Sequence, residues 1–194
     1  MNKKKIVLTF GLILAISVGA LSTWAYLNQT TEVKKNIFKV GQIDAELTEP
    51  NWDPEANIIT PNKTLAKDPT VTVKADSEPT AVYIAVENQL VIEGVSKATY
   101  QVDSALWEKI DTKTVNGAIR DYYKLKSTVA TSAADQSFTL FNTLTIAADT
   151  TAAQLNALST KTMNIVAYVH QVDNVDASVD INAAAITAMD SKLN

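Results

Sequence analysis

Apolar residues recur along this chain mostly at every second position, in short runs separated by turn residues. Phe38 and Val40 alternate with Lys39, and past Gly41 the set Ile43, Ala45, Leu47 alternates with Gln42, Asp44, Glu46. The phase slips at Gly41, where a bulge or bend is expected. Residues 49–69 hold Pro50, Pro54, Pro61 and Pro69 among Asn and Asp, which predicts a loop. Val71 and Val73 mark a short strand, and Asp76–Pro79 a turn. Residues 80–92 are β-branched, aromatic and apolar on both faces, as in a central strand covered on both sides. Residues 100–110 fit either a strand or, from Ala105, a helical turn. Asn116-Gly117 predicts a tight hairpin leading into a strand over 118–125. Residues 127–137 read as a loop, 137–147 as one strand and 162–172 as another, with a turn over 173–176. Helical spacing appears twice: Ala153, Leu155 and Leu158, then Ile181, Ala184, Ala185, Ala188 and Met189 behind Ser178 or Asp180 as N-cap. The sum is roughly six or seven strands and at most two small helices, an antiparallel sandwich.

The N-terminus follows a different rule. Lys3, Lys4 and Lys5 precede an apolar stretch from Ile6 to Leu21, then Ser22-Thr23-Trp24-Ala25. A positive start, an apolar run and a small-x-small site define a secretory signal. Thr23 and Ala25 fit the −3 and −1 positions, placing cleavage before Tyr26. The competing reading is a retained anchor, but a run of about 16 residues falls short of the ~20 that span a bilayer. Three domains of the sequence follow: 1–25 as signal, 26–36 as a polar segment with no strong structural signal, and 37–194 as the sandwich.

Composition narrows the function. Losing three lysines with the signal leaves 14 basic against 21 acidic residues. That acidic balance argues against nucleic acid as a partner. There is no cysteine, so stability must come from burial and hydrogen bonding. The C-terminus, Asp190 to Asn194, carries no LPxTG-type sorting signal, and membrane contact is expected only before cleavage.

Catalytic patterns are sparse. His170 is the one histidine; a zinc hydrolase needs more ligands, and its place between Val169 and Gln171 suits a sheet face. No GxSxG, P-loop or GxGxxG occurs. Asp173, Asn174, Asp176 and Asp180 are acidic enough for calcium but lack EF-hand spacing and read as a turn. Asp53 and Glu55 beside Trp52 read as loop residues. Lys34, Lys35, Asn164 and Asn174 match the residue types of an isopeptide bond by type alone. Trp52 and Trp107 fit either a sugar platform or the core. No catalytic residue, metal or cofactor is expected.

Several segments, in order, resemble the TasA/camelysin family of Gram-positive exported proteins. Thr23-Trp-Ala-Tyr-Leu-Asn28 is similar to that family's cleavage junction. Phe38-Lys-Val-Gly-Gln-Ile-Asp-Ala-Glu-Leu47 resembles its first strand. Asn51-Trp-Asp-Pro54 with Pro61 and Lys67-Asp-Pro-Thr-Val71 resembles its "NWxP…P…KDPxV" stretch, and Pro79–Ile84, Tyr122-Tyr123, Phe138–Phe141 and Val166–Gln171 are similar to later strands. The resemblance runs from the signal to about residue 176. The family's glycine-rich turns are replaced here by Pro61-Asn62 and by Lys74–Ser77, and His170 stands where alanine or isoleucine is common. The resemblance implies a jelly-roll sandwich, processing by a SipW-type signal peptidase, and polymerisation into biofilm-matrix fibres by donor-strand exchange.

Physics supports part of that implication. The eleven residues 26–36 span about 36 Å when extended, enough to cross a neighbouring domain. A strand lent to a neighbour's sheet edge gains main-chain hydrogen bonds. Such a contact does not close on itself and builds a filament. The expected assembly residues are Tyr26, Leu27, Val33, Ile37, Phe38 and Val40. The expected partners are other copies of the chain, the signal peptidase and other matrix proteins. Two other readings stand beside this one: a camelysin-like secreted metalloprotease, and a monomeric surface module that binds a ligand.

Overall fold

The structure is a computed structural model that describes residues 42–53, 58–173, 176 and 178–194. It is mostly β, with antiparallel sheets and two short helices among the described residues. One layer is a four-stranded sheet. Its members are β4 (Thr80–Asn88), β8 (Trp107–Val115), β9 (Ala118–Leu125) and β12 (Met163–Gln171), ordered β12-β4-β9-β8. The sequence of β4, TAVYIAVEN, explains its place: all nine residues are buried. Val82, Ile84 and Val86 enter the core shared with the opposite layer. Ala81, Tyr83 and Ala85 enter a second core beneath the C-terminal helix.

The opposite layer is built from β1 (Ala45–Thr48), β2 (Thr64–Ala66), β3 (Thr70–Val73), β7 (Ala98–Tyr100), β10 (Gln136–Thr139) and β11 (Thr143–Ile146). These form two three-stranded groups, β1-β3-β10 and β2-β11-β7. The groups belong to one ladder. Thr70 faces Thr139 and Ala66 faces Thr143, and the register carries across the gap. Leu140 N–H donates to Pro69 C=O at 2.9 Å, and Lys67 N–H to Asn142 C=O at 3.2 Å. The layer therefore runs β1, then β3 with β2, then β10 with β11, then β7. It packs against the four-stranded sheet through Val71, Val73, Leu140 and Phe141, making an antiparallel sandwich.

Several expected elements change. The loop over 49–69 contains β2, and the single strand over 137–147 divides into β10 and β11. Leu140 and Phe141 are both buried, at 0% and 1% exposure; two inward residues in succession break a period of two. Strand 80–92 ends at Asn88, whose side chain accepts from Leu90 N–H at 2.9 Å. Val91–Ile92 then forms its own small hairpin as β5, paired with β6 (Val95–Ser96). Residues 105–110 form no helix; β8 begins at Trp107. Twelve strands are thus present among the described residues, where six or seven were expected.

Other expectations hold. Asn116 and Gly117 both take positive φ, 51° and 81°, as a type I′ hairpin requires. Helix α1 (Ala152–Leu158) starts in a capping box made by Thr151 and Gln154. Helix α2 (Ile181–Leu193) starts at Asp180, whose carboxylate accepts from Ala183 N–H at 3.1 Å. Replacing Ile84, at the centre of the doubly covered strand, with Ala should cost about 3 kcal/mol. Urea unfolding would show this as a lower midpoint at unchanged slope.

Candidate assembly groove

The four-stranded sheet has two edges of opposite character. β8 carries four charges, exposed at Glu108 and Lys109 and half-buried at Asp111 and Lys113, and breaks register between Lys109 and Asp111. Two of its lysines are engaged, Lys109 with Asp121 at 2.9 Å and Lys113 with Asp190 at 3.1 Å. Charge and a bulge are what blunt an edge against further pairing. β12 has neither. Its sequence, MNIVAYVHQ, contains no Asp, Glu, Lys, Arg, Pro or Gly. It pairs without a slip along all of its nine residues with β4, and no strand among the described residues covers its outer edge.

The side chains along that edge are half-buried. Ile165, Ala167 and Val169 lean toward the main core, as do Ala45 and Leu47 from β1. β1 is the edge strand of the opposite layer. Among the described residues the sandwich is therefore open between β1 and β12, and a mainly apolar groove of about 400 Å³ lies there, lined by Val71 and also by Glu46 and Lys192. Extended backbone laid beside β12 would find unpaired main-chain groups on one side and apolar side chains beneath.

At the end where β12 begins, Met163 and Asn164 also line a larger cleft of about 920 Å³. Its apolar floor includes Leu90, Leu144 and Leu158, with Ile59, Leu155 and Met163 half-buried around them. One wall is the segment after β1, and the two halves of the "NW…KDP" stretch fix it. Asn51 donates from its backbone N–H and side-chain amide to the Asp68 carboxylate, at 2.9 and 2.6 Å. Lys67 Nζ sits 2.7 Å from Glu49 and 4.5 Å over the Trp52 ring. Lys67 and Asp68 are buried, so this pinning takes place largely out of water.

On the outer face of the same sheet, a polar cluster ties down α2. Arg120 donates to Glu87 and to Asp190, and also to Leu193 C=O at 3.2 Å and Asn194 Oδ1 at 3.0 Å. A cation at a helix C-terminus satisfies its free carbonyls and meets the negative end of its dipole. Burial would raise the Asp190 carboxyl. Hydrogen bonds from Tyr122, Lys113 and Arg120 outweigh that and hold it below the ordinary 3.8. Burial and the Asp190 carboxylate push Tyr122 up to about 12. Burial also acts to raise Glu87, but Gln89, Arg120 and Asn164 hold it down overall.

The sequence candidates fall as follows. Thr23, Ala25, Tyr26, Leu27, Val33, Ile37, Phe38 and Val40, with Lys34, Lys35, Glu55 and Asn174, lie outside the described residues. His170 stacks on Tyr168 with ring centres 5.9 Å apart, and its Nδ1 lies 3.1 Å from the Tyr168 hydroxyl. Asp176 accepts from the backbone and hydroxyl of Ser178, and Asp180 caps α2. No three metal-ligating side chains come together among the described residues. The Asn164 amide donates to Glu87, whose charged partner is Arg120 rather than a lysine. Trp107 is 2% exposed and donates from its indole to Thr139 C=O at 2.9 Å, so it belongs to the core and is no sugar platform. Trp52 is half-buried with Lys67 on its ring. Sequence reasoning missed the groove itself. Its signal was the absence of any charge from 163 to 171 beside the many charges of 107–115.

Compared with known proteins, the chain matches no family model, no curated protein and no solved structure.

A carboxyl held below its unfolded value contributes stability that is complete above that value and lost as pH falls through the folded one. Glu87, Asp121 and Asp190 are all held low. Stability should therefore decline from about pH 4 downward. Asp190→Asn should shrink that acid decline when urea midpoints are compared between neutral and acid pH; an unchanged decline would remove Asp190 as a source.

Proposed function

We propose that this protein is an exported structural subunit that polymerises head to tail, lending residues 26–36 of one copy to the open edge of the next. The observation that carries this is the inequality of the two sheet edges. β8 is bulged and charged, while β12 is regular, uncharged and bordered by an apolar groove. An edge of the second kind is a template for pairing unless something covers it. A donated strand supplies that cover through main-chain bonds and alternate side chains. Contact between an N-terminal arm and a distant edge is heterologous, so it propagates into a filament.

The resemblance of the sequence to the TasA/camelysin family supports the same reading. In it, a SipW-type peptidase frees the arm at Tyr26 and the product joins other matrix proteins as a biofilm fibre. A role without catalysis follows from this proposal. The resemblance to a jelly roll gives the groove a simple meaning, the place of one strand that each subunit receives from its neighbour.

Two forms of the protein test this, one starting at Tyr26 and one at Ile37. The longer should give filaments in negative-stain images and early elution in size exclusion, and the shorter should stay monomeric. A peptide of residues 26–40 added in excess should halt growth by filling the grooves. Monomers from both forms at high concentration would refute the assembly reading.

A further inference from the structure

The 920 Å³ cleft is larger than the groove it adjoins, and the proposed arm of residues 26–36 does not need it. Its position relative to Gln42 gives it an occupant. Gln42 C=O accepts from Glu78 N–H at 3.0 Å, and Val172 N–H donates to Pro79 C=O at 3.0 Å. Gln42 therefore lies at the end of the groove where β12 finishes. The cleft lies at the opposite end, between Met163 where β12 begins and Glu49 and Trp52 where β1 has run out. Seven extended residues, 42 to 49, separate the two ends by about 23 Å.

Four residues from Phe38 to Gln42 span at most about 14 Å, less than the distance from Gln42 to the cleft, so the assembly reading gives the cleft to another copy. On the assembly reading, the arm enters a neighbouring copy at the cleft and runs along β12 toward its far end. The nine residues of β12 span about 30 Å and residues 26–36 about 36 Å. The arm thus fills the groove, and the residues that follow it, Ile37-Phe38-Lys39-Val40, fall at the cleft. In extended backbone Phe38 and Val40 project to the same side and Lys39 to the other. The arm itself is polar except for Tyr26, Leu27 and Val33, so these four residues hold its densest apolar content. The floor of Leu90, Leu155 and Met163 with the edge of Trp52 is an apolar receptacle of matching kind.

We infer that the cleft between α1 and the Trp52 segment receives Phe38 and Val40 of a second copy of this chain, anchoring the lent strand at its root. The inference rests on the assembly reading and adds a second, side-chain contact to the main-chain pairing. The arm then sets the direction of growth, while the cleft sets how tightly each joint holds.

The absence of cysteine makes the test direct. Lys39→Cys and Asn156→Cys, introduced together in the form starting at Tyr26, place thiols at the rim of the seated arm and on the exposed surface of α1. Mild oxidation of filaments should yield a ladder of covalent multimers in denaturing gels, and either single variant should stop at dimers. Phe38→Ser in the otherwise natural chain should raise the concentration needed for filaments about tenfold or more, the loss of one buried ring at ~1.4 kcal/mol per decade. Filaments that form normally but give no ladder, and that tolerate Phe38→Ser, would overturn the cleft inference and leave the assembly reading intact. An intramolecular bond in the monomer would overturn it too, since the chain would then fill its own cleft. No filaments from the natural form would remove both.

Discussion

Burial of β4 on both faces is the constraint around which the remaining elements are arranged. A strand reading TAVYIAVEN has no side to turn toward water, so each face must find a cover. One face receives the opposite layer through Val71, Val73, Leu140 and Phe141. The other receives α2 through Ala185 and Met189. Each cover includes residues far along the chain, and each is locked by polar contacts. The ladder of β2 and β3 with β10 and β11 fixes the first. Arg120, bridging Glu87, Asp190 and the last carbonyls of α2, fixes the second. All buried side-chain polar atoms among the described residues find partners, so the charges beneath α2 add specificity without leaving an uncompensated group.

That arrangement covers the strand at the centre and leaves its neighbour short. β12 shares the sheet with β4 and is half-buried throughout. Its inward residues meet the core, but among the described residues the opposite layer ends at β1, too soon to close over them. The open side is thus a consequence of how many strands each layer has and where β1 sits. The difference between β8 and β12 then follows from solvent: the wet edge carries charges and a bulge, and the edge beside the groove carries neither.

Much of this was legible in the sequence, and what was not has physical causes. The hairpin at Asn116-Gly117 and the Asp180 cap were readable because backbone conformation and short-range hydrogen bonds decide them locally. β4 was readable because apolar residues on both sides of a strand admit one environment. The division of β10 from β11 was not, since Leu140 and Phe141 look like a continuing strand until both turn inward. β2 was hidden because prolines at 61 and 69 dominate its surroundings and only three residues between them pair. The groove was least legible of all. It belongs to two strands more than a hundred residues apart, and no local pattern reports that β1 stops short of covering β12.

The long ladder has a consequence for the order in which the chain can fold. Residues 64–73 pair with 136–145, and β4 waits for Met163 to Gln171 before its second edge is filled. Contacts so distant in sequence carry a large loop-closure cost and form slowly. A chain emerging from its N-terminus first holds the most apolar strand of the molecule with one face covered only in part until β10 and β11 appear, and with the other bare until the C-terminal helix does. During that interval the strand that will be best protected is the one most open to wrong pairing. The molecule's vulnerability is therefore greatest in time where its finished structure is firmest in space.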